Sequence, residues 1–564
     1  MKEWLRETHG ATFELLRHFL IHFFDNDLIT TPGQMSKLLI AISPVCLQWF
    51  FLIVFPLHGK YAYLSELPTS APYRVAVRAD ELWLITLMMS VIGLLTALKW
   101  QALFPDLSDY RALGALPLRS SQIFVAKLVS LLVAATAALV TINLLPCLVF
   151  PTVSEGHWAT DSSLLSRVWA HAGASVAACT FSFFGLLALQ GVLLNVLPPR
   201  TFTRVAANVQ GFLVAVMLVL LIASFSIQPE ITNAILGTHW ARWIPPLWFL
   251  GLYEALTGQT DTSMQFLATR AEIGVAVAIP VALVGYFICY RRHRKLMVEG
   301  EVGSRRDRRC RAKLLDWVLR DPRKEAIVDF MAKGLMHSSY HRTIVMGYGG
   351  FGLAVFLTVC VAIARFLEPN RALAASFLYY HIIALTILLI GTRHLFSRPV
   401  EVKANWVFQI TEGEGRAAWL GGIDSFVLFW GAILLLVVPF PFELWLLGWR
   451  GATEAILFAA LGLMSYEWAF CSWEKLPFTC SHLPGKTPTW MILASLGLIG
   501  IVSLLHTILL AVLSSAVVYA VVVAALIVAW IRLHHLRRQT WAELRHLKYD
   551  EGPEPVVHTL SLLK

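Results

Sequence analysis

Long apolar runs separated by short polar or basic intervals recur along the whole chain. Runs of roughly 18–25 apolar residues match the length a helix needs to cross a bilayer. The pattern predicts spans near 36–55, 82–98, 125–150, 168–196, 206–227 and 271–290, then near 343–364, 373–392, 424–446, 452–472, 489–510 and 512–532. A second, amphipathic pattern stands before each group of six. Phe13, Leu16, Leu20 and Phe23 recur at helical spacing with Glu14, Arg17 and His18 between them. Ile327, Val328, Met331 and Leu335 do the same with Arg323, Lys324 and Asp329 off the face. Such helices lie along a membrane interface with the apolar face down. Asp321 is placed to cap the second of them, with Pro322 at its first position.

These elements predict an all-α polytopic membrane protein of about twelve transmembrane helices in two six-helix halves, each with a cytoplasmic amphipathic lead-in helix. The halves share an order of elements: lead-in helix, two spans, an excursion (99–124 and 393–423), two spans, a Pro-containing loop, two spans. Residues 1–290 form the first half, 291–342 a basic linker, 343–533 the second half and 534–564 a tail.

Charge orients the pattern. The interval 291–342 holds fifteen Lys/Arg against seven Asp/Glu, most of the net +10 of the chain. Lys/Arg-rich loops are retained on the cytoplasmic side, which puts both termini there; a bacterial-type inner membrane is the expected location. Lys60, Arg74 and Arg78 in the outside loop 56–81 run against the bias without reversing it. With 57% apolar residues, 15% charged residues and a mean hydropathy of +0.65, a soluble globular chain is excluded. The basic pI of about 9.2 is accounted for by loops beside spans, so no nucleic acid is expected. The charged, amphipathic start is unlike an apolar signal sequence, so no cleaved leader is expected. The eight cysteines are scattered without a CxxC pair, as buried small apolar residues would be.

Between spans five and six, HWARWIPPLWFLGLYEAL carries Trp240, Trp243 and Trp248, residues suited to a headgroup-level belt. Pro245 and Pro246 interrupt helix there, which fits either short helices dipping back into the membrane or a structured loop with interface tryptophans. In the first excursion, Tyr110, Leu113 and Leu116 form a short apolar face, interrupted at Gly114 and stopped at Pro117. An apolar face presented to the cytoplasm needs a protein partner or the bilayer to cover it.

The stretch DYRALGALPLRSSQIFVAKL resembles the cytoplasmic turn between spans two and three of ATP-binding-cassette exporter permeases of the type-2 class. The lead-in helix, the six spans and WIPPLWFLGLYEAL at 243–256 resemble that family's layout across residues 1–290. The resemblance implies a permease whose coupling helix docks on a separate ATPase subunit. Tyr110, Leu113, Leu116 and Leu118 would make the contact, and Arg111 and Arg119 would supply ion pairs at its rim. ATP and Mg would then sit on the partner, with no cofactor or metal on this chain. If both halves act as permease subunits, one chain makes a fused pseudo-dimer; a homodimer is the other arrangement. ANWVFQITEGEGRAAWLGGIDSF at 404–426 lacks the LPLR-like turn. The only GKT, at Gly485–Lys486–Thr487, has Cys480 where a phosphate loop needs glycine.

Two other classes compete. A carrier driven by an ion gradient needs ionisable groups at membrane depth, and the predicted spans offer few. Glu467 is the foremost candidate, while Asn143, Gln190 and Asn195 fit interhelical hydrogen bonding better. A membrane-embedded enzyme lacks a motif, since the histidines form no HExxH spacing, and His506 reads as a packed residue. The charge-poor, aromatic-rich spans fit an amphipathic or lipid-like cargo better than a small ion.

Overall fold

The structure, a computed structural model, describes residues 13–20, 54, 57–104, 120–158, 163–258, 261–299, 321–400, 405–412, 416–479, 504–544 and 547. Outside the described residues lie nearly all of the span predicted at 36–55, most of that at 489–510, the excursion residues 105–119 and the basic residues 300–320. Among the described residues the regular elements are helices, and nine are long and apolar enough to cross a membrane. The chain divides into two compact units, Met1–Gly303 and Ser304–Lys564.

The first unit contains α1 (Ala71–Leu98), α2 (Ser120–Val153), α3 (Leu164–Val196), α4 (Pro199–Ser224), α5 (Pro229–Leu236), α6 (Pro245–Leu256) and α7 (Thr262–Glu299). α1 is its central helix, packed against α3, α4 and α6, with Leu84, Ile85 and Met88 fully buried. α3 and α7 approach backbone to backbone at Gly191 and Gly285, where an added Cβ on Gly191 would stand 3.4 Å from the Gly285 Cα. Small residues permit this approach between membrane helices, and the Asn195 amide seals it by donating to the Gly285 carbonyl at 3.0 Å.

The lead-in helix at 13–20 buries Leu15 and Phe19 against Ile123 and Ala126 in the first turns of α2. The Lys127 ammonium sits 4.7 Å over the Phe19 ring. The buried stripe therefore runs one residue off the predicted Leu16–Leu20 stripe. Leu16 and Leu20 are half-buried on the neighbouring face, because the side that meets α2 is not the centre of the apolar arc.

The second unit contains α8 (Pro322–His337), α9 (Ser339–Phe366), α10 (Pro369–Phe396), α11 (Asn405–Thr411) and α12 (Arg416–Ala432). A π-helical turn at Ile433–Val437 leads to α13 (Phe440–Leu447) and α14 (Trp449–Phe470). α15 (Leu504–Ser514) and α16 (Ala516–Glu543) follow. Asp321 caps α8 as expected, its carboxylate accepting from the Arg323 N–H at 2.9 Å. Ile327, Val328 and Met331 are buried with Leu420 and Ile423 of α12. Gly422 allows the approach, since a Cβ there would stand 3.0 Å from the Ile327 Cβ. Each lead-in helix thus wedges against the first turns of the helix that follows its unit's excursion. At the other end, α16 continues past residue 533 to Glu543, with Arg537 and Trp541 buried.

Candidate functional site

The spans were expected to be poor in buried charge, and the structure corrects this. α1 begins at Ala71, eleven residues before the predicted span, and carries Arg78, Asp80 and Glu81 inside the bundle. Neighbouring helical positions point about 100° apart, so the three reach different partners. Asp80 accepts from the Lys60 Nζ at 2.7 and 2.8 Å and from the Tyr61 hydroxyl at 2.7 Å. Arg78 donates through Nη2 to Glu254 Oε2 on α6 at 3.0 Å. Burial holds the Glu254 carboxyl above the usual carboxylate range, against the pull of Arg78. Glu81 meets His171 of α3, whose Nδ1 lies 2.8 Å from both carboxylate oxygens. The basic residues Lys60 and Arg78, which ran against the charge bias, are therefore held in ion pairs.

In the second unit, α12, α14 and α16 are joined by a buried ionic clamp. Arg537 reaches Asp424 Oδ1 through Nη2 at 2.8 Å and Glu467 Oε2 through Nη1 at 3.0 Å. The Tyr466 hydroxyl donates to Asp424 at 2.7 Å, and His534 Nδ1 stands 2.7 Å from Glu467 Oε1. Asp424, Glu467 and His534 each offer a ligand atom within 4.8 Å of the others, a spacing a metal ion could use. Arg537 already lies between the two carboxylates, and a guanidinium there supplies the cation they need. Glu467, the residue the sequence singled out, is committed to ion pairs rather than placed at a solvated edge.

A third group lies between α10, α13 and α14. His381, Glu443 and Glu454 are all fully buried. Both nitrogens of His381 face backbone carbonyls, Nδ1 that of Phe377 and Nε2 that of Leu435, each at 3.0 Å. Nδ1 is also 3.3 Å from Glu443 Oε1, and the ring stacks on Phe458 at 4.5 Å. The π-helical turn sets this up. Wider winding releases carbonyls from the helical ladder, and those of Leu434 and Leu435 are taken by Tyr380 and His381. Glu454 accepts from Arg450 Nε at 3.1 Å. Among the described residues, neither oxygen of Glu443 has a hydrogen-bond donor.

Tyr110, Arg111, Leu113, Leu116, Leu118 and Arg119 lie outside the described residues. The segment between α4 and α7 forms short helices, the first of the two arrangements the sequence allows. Trp240 and Trp243 are exposed on a 3₁₀ turn at His239–Trp243, and Pro245 and Pro246 open α6. Trp248 donates its indole N–H to the Arg242 carbonyl at 2.9 Å. Gln190 donates to the Trp100 carbonyl at 2.7 Å, and Asn143 to the Leu139 carbonyl at 2.8 Å. His506 stacks on Tyr379 at 4.1 Å. The buried clusters escaped sequence reading because their members lie far apart along the chain. One signal was present: Ala76, Ala79 and Leu82 continue the apolar stripe of α1 through the charged residues. No family model, curated protein or solved structure matches the chain.

Proposed function

We propose that the chain is the membrane-spanning subunit of an ATP-driven exporter, moved by separate ATPase subunits that carry ATP and Mg. It would comprise twelve spans in two six-span halves in the inner membrane, with both termini cytoplasmic. Alternating access would expose an amphipathic or lipid-like substrate to each side in turn. The observation that carries this reading is the placement of the two lead-in helices. Leu15 and Phe19 brace the first turns of α2, and Ile327 and Met331 brace those of α12. A push on either excursion would enter a helix that is held at its base. The apolar face of Tyr110, Leu113, Leu116 and Leu118, rimmed by Arg111 and Arg119, is the proposed ATPase contact. Replacing Leu113→Asp with Leu116→Asp should release the ATPase on co-purification and abolish substrate-stimulated hydrolysis. Retention of the ATPase at the wild-type level overturns the assignment.

A second reading, a carrier driven by an ion gradient, is favoured by the buried Glu81–His171 and Glu467–Arg537 pairs. Ionisable groups within membrane bundles often mark ion pathways. Flux driven by a pH or sodium gradient without nucleotide, abolished by Glu467→Gln, would replace the first reading with this one.

A further inference from the structure

Glu443 is the one carboxylate of the third group with no donor at either oxygen, although it is fully buried. A charged carboxylate in that position would lack every hydrogen bond that normally offsets its removal from water. Three ionisable or phenolic groups face it: His381 and Tyr380 from α10, and Glu454, itself paired with Arg450, from α14. Arg450 is taken up by Glu454, so its charge is spent on the neighbour. The two His381 nitrogens each stand 3.0 Å from a carbonyl oxygen. A neutral imidazole can donate to only one of them, whereas the protonated ring satisfies both.

One proton more than the neutral histidine and the charged carboxylate account for is therefore called for within the pair. We propose that His381 and Glu443, beside Glu454, form a buried proton-binding site. The proton rests on Glu443 as the neutral carboxylic acid and can pass to His381 Nδ1, 3.3 Å from Oε1: the O–H bond breaks as an N–H bond forms, and the neutral pair becomes an ion pair of zero net charge. A bound metal cation fits poorly, because the imidazole presents N–H groups and only three carboxylate oxygens, Glu443 Oε1 and Oε2 and Glu454 Oε2, lack donors.

α13 and α14 turn sharply at Gly448, which has φ +58°, and Gly451 lets α14 lie against the Glu443 backbone, 2.7 Å from where a Cβ would stand. Shifting this hairpin would carry Glu443 away from His381 and change the proton's host. The site does not depend on what drives the helices, so its test is separate from that of the proposed function.

The test uses the full chain, purified in detergent, with the proton as probe. Infrared difference spectra between wild type and Glu443→Gln should show the C=O band of a protonated carboxylic acid in the wild type and its loss in the variant. The band should weaken as pH is raised, and Glu230→Gln should leave it in place. The melting temperature of wild type should fall relative to Glu443→Gln as pH rises towards the value at which the band disappears and level off beyond it, because below that value the folded wild type keeps a proton that its unfolded chain releases. A Glu443 side chain without that band at any pH overturns the proposal. Failure of Glu443→Gln to fold also overturns it, since a neutral isostere must be tolerated where the carboxyl is protonated.

Discussion

Glu81 on α1 and His171 on α3 are separated by 90 residues in sequence and by 2.8 Å in space, with neither side chain exposed to solvent. The pair ties the central helix of the first unit to its neighbour at a point where no water can substitute. Removing one partner of such a pair costs about 3–5 kcal/mol, while replacing both by apolar groups costs far less. Glu81→Leu should therefore lower the melting temperature sharply in detergent. Glu81→Leu with His171→Leu should recover much of the loss. Additive losses would show that the pair is not coupled.

Arg537 should be intolerant of replacement for a related reason. Without it, Asp424 and Glu467 face each other uncompensated, so Arg537→Ala should cost about 3–5 kcal/mol. Lysine should restore little of this, because one ammonium cannot span both carboxylates as the planar fork does. The same variant opens the Asp424–Glu467–His534 triad. Zinc should raise the melting temperature of Arg537→Ala and leave that of wild type unchanged.

The α13–α14 turn gives a steric prediction. A methyl group at residue 451 would stand 2.7 Å from the Glu443 carbonyl carbon and oxygen. Gly451→Ala must push the helices apart, and overpacking of this kind costs about 1–3 kcal/mol. Proteolysis near the turn should accelerate in the variant. An unchanged cleavage rate would show that the helices part freely.

Arg78 and Glu254 give a dependence on pH whose sign can be worked out. Burial raises the folded-state affinity of the Glu254 carboxyl for its proton, and Arg78 counters part of that rise. The ion pair contributes only where Glu254 is charged, so its share of stability is present at higher pH and lost as the carboxyl protonates. Arg78→Gln should match wild type in acid and fall below it as pH rises. A difference that stays constant with pH would assign the effect of Arg78 to packing.

The braced lead-in helices can be tested through Met331, which is fully buried between α8 and α12. Met331→Ala should cost about 2–5 kcal/mol. On the proposed exporter reading, this variant in complex with the proposed ATPase should also hydrolyse ATP without a matching response to substrate. Full coupling in a folded Met331→Ala protein would remove the bracing role.

Helices, caps and the interface segment were legible because their signals are local. The cap at Asp321, the start of α6 at Pro245–Pro246 and most span centres follow from composition within a turn or two of the residues concerned. The start of α1 was misread because Arg78, Asp80 and Glu81 look like loop residues until their partners are known. Glu467 stood out in the sequence as a lone acid near the end of a span, and its ion pair appeared only once Arg537 stood beside it.

The sequence by itself determined that this chain is helical and greasy enough to live in a bilayer, since hydrophobic length is counted along the chain. Only the tertiary structure decided which charges are buried and what compensates them. The energy of a buried carboxylate depends on donors within about 3 Å, and those come from helices 70 to 113 residues away in sequence, as with Glu467 and Asp424 against Arg537.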